Sequence, residues 1–141
     1  MGGERVVDAS VIAAALFLEE FTSEARRFLL ETPRLIAPDH LHAEIASVAA
    51  KKVWRGETTE DFGKQACAAV AVIVATTPSP PLALRAFELA ARHRLSAYDG
   101  LYLALAESRK APLYTFDGDF ARKTIAAGFA DLIEAPQSLL G

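Results

Sequence analysis

Short apolar runs alternate with longer amphipathic segments along this chain. Each short run is bounded by turn-forming or helix-starting residues, which is typical of buried strands. These runs predict strands at residues 5–8, 35–37, within 76–81, at 113–116 and at 132–133. The stretch at 76–81 contains three prolines, so it has room for only a short strand.

The longer segments repeat apolar residues at helical spacing. They predict helices at residues 10–19, 22–31, 40–55, 59–75, 82–93, 97–109 and 120–127. Residues that favour helix N-caps stand before most of these segments. The predicted caps are Thr22 or Ser23, Asp39, Thr58, Ser96 and Asp119.

Strands that alternate with helices predict an α/β fold in which a parallel sheet has helices on both faces. A length of 141 residues suits one domain that buries its own core. The sequence contains no internal repeat, low-complexity tract or linker. We therefore expect a single domain, residues 1–141, built on about five short strands.

Composition narrows the class of protein. Hydrophobic residues make up 52% of the chain, but the longest apolar segment, residues 66–75, is too short to span a bilayer. The N-terminus lacks the layout of a signal peptide. The lone Cys67 excludes an intramolecular disulfide and argues against a zinc site built on cysteines. These features predict a cytoplasmic protein without a membrane segment.

The charge balance does not favour a general nucleic-acid binder. The net charge is −3 and the sequence pI is near 5.6. The basic residues form small clusters, which we interpret as solvated helix faces and C-terminal turns that complement helix dipoles. Charge alone therefore does not assign a function.

Four acidic residues occupy positions where an α/β domain would not normally place them. Asp8 and Asp117 each follow a predicted buried strand, and Glu44 and Asp99 each lie on the apolar stripe of a predicted helix. The carboxyl ends of parallel strands, together with the first turns of the helices that follow, share one edge of a sheet. We therefore expect these four carboxylates to converge.

Converging carboxylates need a cation. Two of them 4 Å apart repel by roughly 4 kcal/mol at an effective dielectric of 20. No lysine or arginine on the apolar stripes is placed to pair with all four. Ligation by oxygen alone suits Mg²⁺ or Mn²⁺. The acids thus predict a divalent-metal site.

Each acid also has a purely structural interpretation. Carboxylates cap helices and form turns without any ligand. The structural alternatives are helix capping by Asp8, the capping box Ser96-x-x-Asp99, the turn Asp117-Gly118, and pairing of Glu44 with Lys51 or His40. His40 and His42 are two residues apart on a helix and do not face one ligand site, so both are interpreted as surface or rim residues.

The motifs around these acids, taken together, resemble the PIN-domain family and most closely its VapC-type toxin ribonucleases. The resemblance covers nearly the whole chain and includes the spacing of the motifs. The segment 97–106 followed by Thr115-Phe116-Asp117 is fairly specific, whereas the opening motif is weak. The matching segments are Val6-Val7-Asp8-Ala9-Ser10, Ala43-Glu44-Ile45-Ala46-Ser47, Ala97-Tyr98-Asp99-Gly100-Leu101-Tyr102-Leu103-Ala104-Leu105-Ala106 and Leu113-Tyr114-Thr115-Phe116-Asp117.

The resemblance implies a PIN-like three-layer α/β/α sandwich and a Mg²⁺- or Mn²⁺-dependent endoribonuclease of a type II toxin–antitoxin system. It also implies an RNA substrate and a cognate antitoxin as partner. The implied catalytic residues are Asp8, Glu44, Asp99 and Asp117, of which Asp8, Asp99 and Asp117 hold the metal.

The same resemblance implies supporting roles for Ser10 and Thr115, which would orient Asp8 and Asp117. Ser47 departs from the family pattern, because many members carry Asn at that position, so a supporting hydrogen bond is expected to differ. A metal held by these acids would activate a water for in-line attack on a phosphodiester.

Two other functions are left open by the residues alone. One is a non-catalytic protein-binding module of PIN-like fold, whose acids serve only as caps. The other is a different phosphoryl-transfer hydrolase, although position 10 is Ser where an aspartate-nucleophile phosphatase needs a second Asp. The sequence shows no Ser-His-Asp arrangement and no glycine-rich phosphate loop.

The predicted helix at 59–75 is apolar on more than one side, which indicates a covered surface. Together with Trp54 and Phe62 it predicts an exposed apolar patch of the kind that marks interfaces. We expect a homodimer and a bound antitoxin segment; the alternative is a helix buried wholly within the monomer. The apolar residues concerned are Ala66, Ala69, Val70, Val72, Ile73 and Val74.

Overall fold

A computed structural model describes residues 3–141, which form five strands and seven α-helices. The strands are β1 (Glu4–Val7), β2 (Arg34–Pro38), β3 (Ala75–Thr77), β4 (Leu113–Tyr114) and β5 (Ile133–Glu134). The helices are α1 (Ala9–Leu16), α2 (Thr22–Glu31), α3 (Leu41–Trp54), α4 (Glu60–Ile73), α5 (Ala83–His93), α6 (Ala97–Arg109) and α7 (Gly118–Ala126). Each predicted strand and helix is present; the ends of α2 and α6 coincide with the prediction, and the other elements have ends that shift by up to three residues.

The strands form one parallel sheet in the order β3-β2-β1-β4-β5. Val6 of β1 is in register with Ile36 on one side and with Leu113 on the other. The chain runs from β1 outward to β3, and then returns to β4 and continues to β5. Right-handed crossovers therefore place α1–α4 on one face of the sheet and α5–α7 on the other. The predicted parallel sheet with flanking helices is confirmed.

The direction of winding reverses between β1 and β4. In open parallel sheets this switch point leaves a crevice beyond the carboxyl ends of the two strands, and ligands bind there. Val6 and Val7 of β1 are fully buried, and Leu113 of β4 is fully buried as well. The strands that lead into the crevice are therefore held firmly in the core.

Helix α6 is held close to α5 by a glycine. A Cβ built on Gly100 would lie 2.6 Å from the carbonyl oxygen of Ala86, so only glycine fits this crossing. Gly100 is in the first turns of α6, beside Asp99. The close approach therefore fixes the end of α6 that faces the crevice.

Several helix starts differ from the predicted caps. The N-cap of α2 is Phe21, and Thr22 does not cap; its hydroxyl instead donates to the carbonyl of Phe17. His40 is the N-cap of α3, while a carboxylate oxygen of Asp39 accepts from the backbone N–H of Ser79. Both polar side chains bond to loop backbone groups in place of a helix start: Thr22 bonds within the loop that precedes it, and Asp39 bonds to Ser79, which is 40 residues away in sequence.

Two further caps shift along the chain. Thr59 caps α4 in place of Thr58, with its hydroxyl accepting from Phe62 N–H at 3.1 Å. Asp117 caps α7 in place of Asp119, whose carboxylate pairs with Lys123 at 3.2 Å. Ser96 caps α6 as predicted. Asp117 is the capping residue because α7 begins at Gly118, two residues before its predicted start.

Within residues 3–141, no helix combines the length and the apolar character that crossing a bilayer requires.

Candidate active site

Asp8 lies at the centre of the crevice between β1 and β4. It follows β1 directly and is the N-cap of α1, where Oδ1 accepts from the backbone N–H groups of Ser10 and Val11. Its side chain is only 5% exposed. The structural alternative for Asp8, helix capping, therefore coexists with a position at the ligand-binding edge of the sheet.

Two hydroxyl groups join Asp8 to the end of β4. The Ser10 hydroxyl donates to Oδ1 of Asp8 and accepts from Phe116 N–H at 2.9 Å. The Thr115 hydroxyl donates to Oδ2 of Asp8 and accepts from Asp117 N–H at 2.9 Å. Each hydroxyl thus donates to the Asp8 carboxylate and accepts from a backbone N–H group of the segment that follows β4. This network fixes both the orientation of Asp8 and the path of the chain into Asp117.

Burial dominates the protonation of Asp8. It raises the pKa of Asp8 to about 7, because a charged carboxylate loses its hydration in this crevice. The hydrogen bonds from Ser10, Thr115 and Val11 lower the pKa, and the nearby charge of Asp99 raises it. The carboxylate is therefore poised near neutral pH in the metal-free protein.

Asp99 is the second carboxylate of the crevice, on the first turn of α6. Burial raises its pKa to about 6, and the charges of Asp117 and Glu44 add to the rise. Lys123 of α7 acts in the opposite direction. Asp99 therefore responds to all three of the other acids, since its charge also raises the pKa of Asp8. Four elements that are distant in sequence bring their acids within electrostatic reach of one another.

Glu44 is held from two sides on α3. The Tyr102 hydroxyl donates to Oε1 of Glu44 at 2.6 Å, and Nε2 of His40 lies 3.3 Å from the same oxygen. Burial and the negative charge of Glu44 raise the pKa of Tyr102, so its proton stays in this hydrogen bond. Because Tyr102 is 1% exposed and belongs to α6, it anchors Glu44 to the helix that carries Asp99.

Asp117 is the most exposed of the four acids. Its Oδ1 accepts from Phe120 N–H at 3.1 Å and caps α7. It lies near enough to Asp99 to raise the pKa of that carboxyl. Asp117 therefore combines a structural bond with a position at the open side of the crevice.

His40 differs from its sequence interpretation as a surface or rim residue. Its side chain is 12% exposed and packs against Tyr98 and Tyr102, with ring centroids 5.9 and 4.7 Å away. Burial lowers the pKa of His40, which the carboxylate of Glu44 partly offsets. His42, two residues on, is exposed. The prediction that the two histidines do not share a ligand site is consistent with this difference in their exposure.

Sequence reasoning misses two side chains around the acids: Tyr102 and Lys123. A signal for Tyr102 is present in the sequence, because it lies three residues after Asp99 and so on the same helical face. The pairing of Glu44 with His40, which their spacing of four residues predicts as a structural alternative, is present in the structure. Lys123 approaches Asp99 through the tertiary structure, which no local pattern indicates.

The donor set suits a hard divalent cation, although it is not arranged as a closed cage. Among residues 3–141, no three His, Cys, Asp or Glu side chains meet the geometry of a preformed metal site. Each acid is instead engaged locally, by hydroxyl groups, by helix N–H groups or by Tyr102. Mg²⁺ binds through oxygen donors and usually retains several waters, so that carboxylates contact it directly or through water. Carboxylates from four elements, with no thiolate or imidazole at the centre within residues 3–141, fit that mode of binding.

Comparisons with known proteins agree with this geometry. A sequence model described as the PIN domain matches residues 5–125. A protein named Ribonuclease VapC1, from Mycobacterium tuberculosis, is 32% identical over 120 residues, which cover 84% of this chain and 89% of the relative.

Solved structures give the same fold. That of Mycobacterium tuberculosis VapC20, described as a sarcin–ricin loop cleaving toxin, has a TM-score of 0.68 at 24% identity and covers 89% of this chain and 96% of its own. VapBC2 from Rickettsia felis, bound to a DNA fragment from its promoter, has a TM-score of 0.67 at 12% identity and covers 95% and 99%.

Proposed function

This chain belongs to the PIN-domain family, and from that membership and its acidic crevice we propose that it is a metal-dependent endoribonuclease, the toxin of a type II toxin–antitoxin system. The observation that carries the proposal is the convergence of Asp8 and Asp99 at the switch point of the sheet, where burial raises the pKa of both carboxyls and the charge of Asp99 adds to the rise at Asp8. Carboxylates that raise one another's pKa form an unfavourable cluster in the metal-free protein, and a bound cation relieves it.

The cation is Mg²⁺ or Mn²⁺, held by Asp8, Asp99 and Asp117, with Glu44 assisting directly or through water. When bound, such an ion acts as a Lewis acid that activates water and neutralises charge on phosphoryl oxygens. The chain's own contribution is orientation. Ser10 and Thr115 hold Asp8 in one rotamer through both of its oxygens, and Tyr102 holds Glu44.

Glu44 and Asp117 complete the catalytic set. Glu44 is buried on one side and tethered through Oε1, so it is placed to accept a proton from the attacking water. Asp117 lies at the open side of the crevice, where the phosphodiester enters. Lys123, which already acts on Asp99 electrostatically, offers a positive charge near the phosphate.

The partners follow from the same assignment. The cognate antitoxin inhibits the enzyme, and the chain forms a homodimer in the cytoplasm. The helix α4 face supports an interface: Val72 near its C-terminus is 87% exposed, Phe62 near its N-terminus is 42% exposed, and Trp54 at the end of α3 is 78% exposed. The rest of the predicted patch is more buried, since Ala66 and Val70 pack into the monomer. The exposed apolar surface available for an interface is therefore smaller than the sequence predicts.

Cleavage of a single-stranded RNA with and without divalent metal tests the activity. We expect cleavage with Mg²⁺ or Mn²⁺ and none in excess EDTA. Asp8→Ala and Glu44→Ala should abolish it while the circular dichroism spectrum stays that of the folded protein. Asp131→Asn is the matched control, because Asp131 is exposed and outside the crevice. Full activity in EDTA, or undiminished activity in both alanine variants, would contradict the proposal.

A further inference from the structure

A second cavity opens beside the acidic crevice and shares one wall with it. Its volume is about 300 Å³, and its lining residues are His40, Ala43, Glu44, Ser47 and Tyr98. This is within the size range of small-molecule sites. Resting on the proposed ribonuclease activity, we propose that this cavity binds one unpaired nucleobase of the RNA next to the bond that is cut.

The walls of the cavity are built by two helices. His40, Ala43, Glu44 and Ser47 are spaced by three and four residues, so they form a single face at the start of α3. Tyr98, in the first turn of α6, stands opposite that face. Small side chains at positions 43 and 47 leave the space open, whereas the aromatic rings of His40 and Tyr98 give it flat sides.

Tyr98 presents the stacking surface. Its side chain is 62% exposed although it stands beside the half-buried Asp99, and its ring lies at 27° to that of His40. Unpaired bases of RNA stack on aromatic side chains of this kind when proteins recognise single strands. An exposed tyrosine at the mouth of a cavity that adjoins a phosphodiester-cleaving site is positioned for that contact.

The polar atoms of the cavity favour a base over a phosphate. The residues that line it include no lysine or arginine, and they include the Glu44 carboxylate, which repels an anion. Among residues 3–141, Oε1 of Glu44 accepts from Tyr102 and no donor reaches Oε2. A base with an exocyclic amino group supplies the N–H that Oε2 accepts, as carboxylates do for the cytosine amino group.

His40 closes the inner side of the cavity. Its two ring nitrogens have no access to solvent, and Nε2 lies 3.3 Å from Oε1 of Glu44. The imidazole therefore contributes its ring surface to the cavity, while the Tyr98 ring and Oε2 of Glu44 remain for contacts with a bound base.

The test compares three variants on short single-stranded RNAs that differ at the nucleotides flanking the cleaved bond. Tyr98→Ala removes the stacking ring, and Tyr98→Phe keeps it. Phe87→Ala is the control, because Phe87 is 64% exposed on α5 and does not line the cavity. Binding is measured in parallel by the fluorescence of 2-aminopurine placed at each flanking position.

We expect Tyr98→Ala to raise KM by about 5- to 100-fold, the range of one lost base stack. It should also relax the preference for an amino-bearing base over uracil at one flanking position and restore the 2-aminopurine fluorescence that stacking quenches. Tyr98→Phe, which keeps the ring, should recover most of the loss in KM and keep the 2-aminopurine fluorescence quenched. Phe87→Ala should match the wild type in all three measurements.

Equal KM and equal cleavage preference in Tyr98→Ala and Phe87→Ala would overturn the base site while leaving the ribonuclease assignment intact. Equal losses in Tyr98→Ala and Tyr98→Phe would also overturn it, since stacking would not be the cause. Loss of antitoxin binding alone in Tyr98→Ala would assign the cavity to the protein partner instead. A wild-type protein that neither binds nor cleaves RNA would refute the proposed function and this inference together.

Discussion

At the scale of single residues, Asp8 combines two requirements that oppose each other. As a helix cap with both oxygens bonded to hydroxyl groups, it is held rigidly in place. As a nearly dehydrated carboxylate beside Asp99, it is costly to ionise. Rigid placement orients a ligand, and the cost of ionisation is recovered when a cation arrives. The metal-free protein is therefore destabilised locally by the ionised Asp8 at its candidate metal site.

This instability predicts a pH dependence. The pKa of Asp8 is about 7 in the folded protein against 3.8 for the unfolded group, so the folded state holds the proton more tightly. The resulting stability is fully present below pH 3.8 and is lost as the pH rises to about 7. Asp8→Asn removes the titrating charge and keeps an acceptor for the α1 N–H groups. We expect it to stabilise the metal-free protein at pH 8, by up to about 4 kcal/mol.

Urea unfolding of the metal-free protein at pH 5 and at pH 8 measures this effect. The gain from Asp8→Asn should be larger at pH 8, because the wild-type carboxyl is still largely protonated in the folded state at pH 5. Asp131→Asn provides an exposed control that should change little at either pH. A pH-independent gain from Asp8→Asn would indicate relief of packing strain and would contradict the electrostatic explanation.

At the scale of elements, two glycines in helices allow a matched comparison. Gly100 and Gly63 are both buried and both lie at the fourth position of a helix, α6 and α4 respectively. A Cβ on Gly100 meets the backbone of Ala86 at 2.6 Å, whereas a Cβ on Gly63 meets the Ala49 side chain at an ordinary 3.7 Å. The same substitution is therefore forbidden at one crossing and tolerated at the other.

We expect Gly100→Ala to destabilise the protein by about 1–3 kcal/mol, since a backbone carbonyl cannot move aside as a side chain does. Gly63→Ala should stabilise it by up to about 1 kcal/mol, because alanine favours the helix and the space is available. Thermal unfolding of both variants gives the comparison. Gly100→Ala should also weaken metal binding, because the shift of α6 moves Asp99. Equal stability of the two variants would show that α5 and α6 do not approach so closely.

The elements also show what the sequence could and could not predict. Helix α6 is predicted with both of its ends, because Ser96 caps it locally and Lys110 ends it in a left-handed conformation. Helix α2 begins at Thr22 as predicted, but the caps of α2 and α3 are missed, because Thr22 bonds to the loop before it and Asp39 bonds to Ser79, which folding brings near it. The acids that follow strands are placed by the parallel topology. The contacts of His40 depend on how α3 meets α6 from the opposite face, and the approach of Lys123 to Asp99 depends on how α7 lies relative to α6 on the same face.

At the scale of the whole molecule, the crevice joins segments that are more than one hundred residues apart. Ser10 and Thr115 link the end of β1 to the end of β4, and Tyr102 links α6 to α3 across the same edge of the sheet. Helices from both faces of the sheet therefore have their N-terminal ends at one site. A cation bound there contacts only the folded arrangement, so its binding free energy adds to the stability of the entire domain.

Metal titration of the whole protein measures that coupling. At a free Mn²⁺ concentration of roughly 100 times Kd, binding adds about 2.7 kcal/mol, which raises Tm by several degrees for a domain of this size. Asp99→Asn should abolish the rise while increasing the Tm of the metal-free protein, because burial and the charges of Asp117 and Glu44 disfavour the ionised Asp99. Asp131→Asn should change neither quantity. The opposite signs of the two effects in one variant distinguish a metal site from a general loss of fold, since a misfolded variant loses Tm in both conditions. A Mn²⁺-dependent rise that persists in Asp99→Asn would place the cation outside the acidic crevice.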